Sequence, residues 1–110
     1  YASHAALFPR AAVVVHQGGI GTSAEALRSG RPMLVVPHSH DQPDNARRLA
    51  RLGVARVLPA GRYDAKRAAR LLAPLLEENE TRARARAIGP QIAAERGVAN
   101  ACDAIERLFG

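Results

Sequence analysis

The chain has 110 residues, 47% of them hydrophobic and 24% charged, which allows one globular domain at most and excludes both a disordered chain and a two-domain catalytic cleft built from this sequence alone. Its formal charge of +6 comes from 16 Lys and Arg against 10 Asp and Glu, but the arginines are scattered through "NARRLARLGVAR", "AKRAARLL" and "TRARARAIG" and aromatics are only 4%, so solvated helix faces are expected and a nucleic-acid partner is not. No apolar run approaches the roughly 18 residues of a membrane span, no signal peptide precedes "YASHAALFPR", and the single cysteine, Cys102, permits neither an internal disulfide nor a cysteine metal site; a cytoplasmic protein is expected.

In chain order, a short helical turn is expected over residues 4–8 and a buried strand over 12–16, where three consecutive valines lead to His16. The glycine-rich turn "QGGIG" follows, then a helix over 22–29 opened by the hydroxyls of Thr22 and Ser23 and closed by Gly30. A second strand, "MLVVP", covers 33–37. The polar loop "HSHDQ" then leads into a helix that Pro43 can start and Gly53 can end. "VARVLPAG" reads as a short strand and turn. From Asp64 onward the chain is helical, with Ala65, Ala68, Ala69, Leu72, Leu75 and Leu76 as its apolar stripe and Pro74 as a kink. Two further helices are expected at "TRARARAIG" and "VANACDAIERL", the second holding Cys102 by packing alone.

Strands alternating with helices imply a parallel α/β sheet of Rossmann type. Three short strands are few where about five or six are usual, so residues 1–110 read as the later part of a doubly wound domain.

The strand–glycine turn–helix unit is the chemically pointed feature. The first N–H groups of a helix have no partner within it and carry partial positive charge, so Gly21, Thr22 and Ser23 form an anion site suited to phosphate. Gly19-Ile20-Gly21-Thr22-Ser23-Ala24 also fits G-x-G-x-x-A after a strand, with Asp41 lying 20 residues past Gly21, the outline of an NAD or NADP fingerprint. A dinucleotide loop accounts for neither the preceding His16-Gln17 nor Glu25. His16, His38 and His40 match no metal-ligand spacing, and no metal is expected.

With His16 to Gly30, Pro32, Pro37 and "DQPDNA" together, the chain resembles the donor-binding half of the nucleotide-sugar-dependent glycosyltransferases with two Rossmann-like domains. The microbial branch that glycosylates macrolides and other natural products is the nearest in pattern. Counted from Gln17, the positions Thr22, Glu25, Gly30, Pro32, Pro37, Asp41 and Gln42 fall at the family's spacing without a gap. The resemblance implies a UDP- or TDP-sugar as donor substrate, with no further cofactor. Gly18, Gly19 and Gly21 would let the backbone approach the diphosphate, while Thr22 and Ser23 add donors. Glu25 would accept the two ribose hydroxyls, its competing role being that of an acid favoured in a first helical turn. Asp41 and Gln42 would hold hydroxyls of the transferred sugar, their competing role being to cap the helix after Pro43. Tyr1 would stack on the base and the backbone of His4 would pair with its edge.

One departure stands out. Relatives often carry histidine where Gln17 stands, and glutamine keeps an N–H donor without a charge. Successive strand residues face opposite ways, so only one of His16 and Gln17 can meet the diphosphate unless the strand ends between them, and Gln17 is taken as that residue. The resemblance further implies an inverting enzyme whose catalytic base lies in an N-terminal domain or subunit missing from this sequence. A nucleotide-sugar binding module without transfer activity is the alternative, and an NAD-binding domain a more distant one.

Overall fold

A computed structural model describes residues 12–77 and 79–94 of the chain. Tyr1 and His4, the expected turn at 4–8, the last expected helix and Cys102 lie outside the described residues. Within them the order is β1 (Val14–His16), α1 (Ile20–Ser29), β2 (Met33–Val35), α2 (Gln42–Leu52), β3 (Ala55–Val57), a 3-10 turn (Ala60–Arg62), α3 (Ala65–Leu76) and α4 (Glu80–Ala93). The strands form one parallel sheet in the order β1-β2-β3, with Val14 opposite Met33 and Met33 opposite Ala55.

Parallel crossovers are right-handed, so two steps in the same direction place both connecting helices on one face of the sheet. The burial pattern agrees. Ala24 and Leu27 of α1 and Ala46 and Leu49 of α2 pack with Val14, Met33, Val35 and Ala55 in one core, to which α4 adds Ala85 and Ile92. The alternate strand residues Leu34 and Val36, with Leu58, turn to the other face and are covered by Ala68 and Leu75 of α3. Each fully buried leucine, such as Leu27, Leu34 and Leu49, contributes about 1.5–3 kcal/mol.

Several boundaries differ from the sequence expectation. The helix after the glycine turn begins at Ile20 rather than 22, with Gly19 as an extended N-cap residue that offers no side-chain cap, so glycine and not a hydroxyl opens it. Gly30 closes it in the left-handed conformation, φ 71°, as expected, and Gly53 closes α2 in the same way, φ 83°. The stripe on α3 is narrower than its periodicity implies. Ala68 and Leu75 are buried and Leu71 and Leu72 partly so, whereas Ala65, Ala69 and Leu76 are exposed, because the surface beneath this helix, Val13, Leu34, Val36, Leu58 and Ala60, is narrow. Pro74 sits inside the last turn of α3, and its carbonyl accepts hydrogen bonds from the Glu77 amide and from Asn79 Nδ2.

The helix expected at "TRARARAIG" extends through Gly89 and Pro90 to Ala93. Close packing against α1 accounts for the glycine, since a Cβ on Gly89 would stand 2.8 Å from Gly30 Cα. Arg82, the one buried arginine among the described residues, donates to the carbonyls of Ala12 and Leu75, each at 3.0 Å, and ties α4 to the ends of β1 and α3. Arg47, Arg48, Arg67 and Arg84 instead pair with acids one helical turn away on solvated faces. No helix among the described residues is long and apolar enough to cross a membrane.

Candidate functional site

Parallel strands bring the turns after β1 and β2 to the same edge of the sheet, where α/β folds hold their ligands. The glycine turn and the loop before α2 are therefore neighbours. Strand β1 ends at His16, so burial and not alternation separates His16 from Gln17: His16 is buried on the helix-covered face with Val14, and Gln17, just past the strand, is exposed. His16 Nδ1 accepts the Gly18 amide at 3.1 Å, which leaves the ring proton on Nε2, 3.2 Å from Met33 Sδ. This imidazole braces the turn from inside.

Gly18 is buried and has φ 100°, outside what residues with a Cβ readily adopt. A Cβ there would meet the Gln42 carbonyl oxygen at 3.0 Å and Val35 Cγ1 at 3.2 Å. Its own carbonyl accepts Asn45 Nδ2 at 2.9 Å. The glycine is thus demanded by close packing of the turn on α2. Gly19 is the opposite case, for a Cβ on it would meet nothing within 4 Å. Open approach to the backbone exists at Gly19.

At the start of α1 the Ser23 amide donates to the Gly19 carbonyl at 2.8 Å, so the N–H groups without an intrahelical acceptor are those of Ile20, Gly21 and Thr22. Ser23, expected to offer its amide and hydroxyl outward, has both turned into the fold; it is 1% exposed, and its Oγ has no partner among the described residues. Thr22 is half-buried. Ala24, in the third position of the glycine fingerprint, is buried where α1 meets the sheet, the close packing that position serves. Because α1 starts at Ile20, Glu25 lies beyond the first turn, which holds no acid. The helix-dipole role thereby loses its basis. Glu25 is half-buried, and its carboxylate has no hydrogen-bond or ion-pair partner among the described residues.

Asp41 occupies the N-cap position of α2 without a side-chain cap bond, and it is exposed. Its carboxylate is free for other work. Gln42 Oε1 accepts the amides of His38 and Ser39, at 2.9 and 3.4 Å, folding the loop back on the helix start and leaving Nε2 as the donor end. His40 in this loop has φ 59°. Next to it lies an open depression of about 450 Å³, to whose lining Gln17, Val36, His38, Ala60 and Tyr63 contribute.

The residue that sequence reasoning passed over is Asn45. It stood inside the quoted "DQPDNA" without a role, and the only available signal was a polar residue on the apolar face of α2, beside Ala46 and Leu49.

Residues 2–108 match the family model described as erythromycin biosynthesis protein CIII-like, C-terminal domain. Over 106 residues the chain is 43% identical to the O-mycaminosyltylonolide 6-deoxyallosyltransferase of Streptomyces fradiae, an alignment covering 96% of this chain and 25% of that enzyme. Similarity to the vancomycin aglycone glucosyltransferase of Amycolatopsis orientalis is 44% over 92 residues, 82% of this chain and 22% of the relative. Among solved structures, glycosyltransferase VinC in complex with dTDP superimposes with a TM-score of 0.79 at 30% identity over 99% of this chain and 28% of its own. The glycotransferase of kitacinnamycin gives 0.79 at 31% identity, over 100% and 29%. The chain spans about a quarter of the length of the relatives it matches.

Proposed function

The chain belongs to the family of erythromycin biosynthesis protein CIII-like C-terminal domains, and from that premise we propose that it is the donor-binding portion of an inverting glycosyltransferase that moves a sugar from a UDP- or TDP-sugar to an acceptor hydroxyl. One observation carries the reading. The free N–H groups of Ile20, Gly21 and Thr22 open beside uncrowded Gly19, while an unpaired Glu25 lies one turn deeper and Asp41 and Gln42 stand on the adjacent loop of the same sheet edge.

Each part has a chemical task. The helix start and Gly19 receive the diphosphate, with Gln17 Nε2 as an added donor, and stabilise the negative charge that grows on it as the glycosidic bond breaks. Gly18 and Ser23 serve through the shape and packing of the same turn. The Glu25 carboxylate accepts the ribose hydroxyls, Asp41 accepts from the sugar, and Gln42 donates to it through Nε2. Tyr1 stacks on the base and the backbone of His4 pairs with its edge. Activation of the acceptor hydroxyl belongs to a base in the N-terminal domain or subunit that completes the enzyme, in the cytoplasm.

Calorimetric or ligand-observed NMR titration of the chain tests this. UDP or TDP binding at millimolar concentration or below, with NAD and NADP ignored at the same level, is the expected result. Preferential NAD binding would restore the dinucleotide fingerprint and end the donor reading.

A further inference from the structure

Asn45 closes the first turn of α2, its amide donating to the Asp41 carbonyl, and is buried, yet its carboxamide serves a residue 27 positions earlier in the chain. The residue served is Gly18, at the centre of the glycine turn. Its carbonyl is held by Asn45 Nδ2 at 2.9 Å and its amide by His16 Nδ1 at 3.1 Å, so the peptides on both sides of one Cα are fixed by side chains from two different elements. Contact closes the third side, since Gly18 lies against the Gln42 backbone so tightly that a Cβ would stand 3.0 Å from its carbonyl oxygen. Gln42 in turn holds the loop before α2 through the bonds from the His38 and Ser39 amides to its Oε1.

A continuous path of direct contacts therefore joins the turn that faces the diphosphate to the loop that faces the sugar. It runs from the end of β1 through Gly18 and Asn45 to the start of α2 and Gln42. The glycine turn cannot shift toward a ligand without carrying the start of α2 with it or losing the Asn45 bond. Covalently the two loops are far apart, so without this carboxamide the turn would have to be ordered separately when ligand arrives, at an entropic cost.

We propose that Asn45 is a positioning residue that makes the glycine turn and the Asp41–Gln42 loop one rigid unit, so that recognition of the diphosphate and recognition of the sugar are energetically coupled. The proposal rests on the donor-binding reading. Coupling of this kind is reciprocal: each half of the donor binds more tightly because the other half's loop is already placed.

The test is a double-mutant cycle on the chain, with UDP and UDP-glucose (or TDP and TDP-glucose) as probes and amide hydrogen exchange at Gly18 as a ligand-free readout. Asn45→Ala should free the Gly18 carbonyl and so loosen the turn, speeding exchange of the Gly18 amide that His16 Nδ1 holds, and weaken UDP about tenfold, the scale of one buried hydrogen bond. In that background Gln42→Ala should lose most of the effect it has on UDP-glucose in the otherwise wild-type chain. Asn45→Asp, which keeps the shape and removes the donor, should match Asn45→Ala; should its buried carboxylate unfold the chain, the alanine variant carries the test alone. Affinities equal to wild type in a folded Asn45→Ala protein overturn the coupling, as do strictly additive effects of Asn45→Ala and Gln42→Ala, even if the melting temperature falls. Wild-type chain that takes up neither UDP nor TDP overturns the donor reading itself and the coupling with it, whatever Gly18 exchange shows.

Discussion

Two neighbouring glycines should separate stability from binding when each is changed to alanine. Gly18→Ala places a Cβ on a residue at φ 100°, 3.0 Å from the Gln42 carbonyl oxygen and 3.2 Å from Val35 Cγ1. Backbone strain of this kind costs about 1–3 kcal/mol. Pushing the start of α2 away adds about 1–3 kcal/mol of overpacking. The total, about 2–6 kcal/mol, is a large share of the roughly 5–15 kcal/mol that stabilises an ordinary domain. Gly19→Ala adds the same methyl group at φ −61°, ψ 146°, an ordinary extended conformation, with nothing within 4 Å. Its stability should stay within about 0.5 kcal/mol of wild type. Binding should follow another order, because the added methyl stands in the open space through which the diphosphate is proposed to approach. Urea denaturation of both variants, beside UDP or TDP titration of Gly19→Ala, reads out the contrast. A Gly18→Ala protein as stable as wild type would refute the packing of the turn on α2, and undiminished diphosphate affinity in Gly19→Ala would refute the approach through that residue.

Other consequences are as direct. Glu25→Gln should weaken UDP by about 1–3 kcal/mol while leaving pyrophosphate affinity and melting temperature nearly unchanged, if the carboxylate takes the ribose hydroxyls as proposed, since it lies outside the first turn of α1; equal losses for both ligands would make Glu25 a support of the helix. Asp41→Asn and Gln42→Ala should weaken the nucleotide sugar relative to UDP, and a ratio of the two affinities unchanged in both variants would remove the sugar-reading role. Because Asp41 makes no cap bond while Asp64 accepts the Arg67 amide at 2.7 Å, Asp64→Ala should lower stability by about 1 kcal/mol and Asp41→Ala by much less, as thermal or urea unfolding would read. Gly89→Ala should destabilise the fold by about 1–3 kcal/mol despite alanine's better helix propensity, because its Cβ meets the Gly30 backbone at 2.8 Å; a melting temperature at or above wild type would show that α4 has room to shift.

Local chemistry determined a good deal of this protein from sequence alone. Valine-rich runs marked β1 and β2, Gly30 and Gly53 marked helix ends because left-handed backbone suits glycine, and Pro43 marked the start of α2, all within a few residues. The two segments proposed to meet the donor could be picked out for the same reason, as each is a short contiguous motif whose spacing survives without a fold. Period-two alternation would set His16 and Gln17 on opposite faces only if the strand ran through both, and β1 ends at His16. Which of them faced inward was settled only by the tertiary structure, because it depends on the face of β1 that α1 and α2 cover. The exposed edge of the α3 stripe escaped the pattern likewise, since periodicity reports one apolar face of a helix and not the width of the surface beneath it. Asn45 was the least legible. Its meaning is a single hydrogen bond to Gly18 across 27 residues, and such a contact exists only once the chain has brought the start of α2 against the glycine turn.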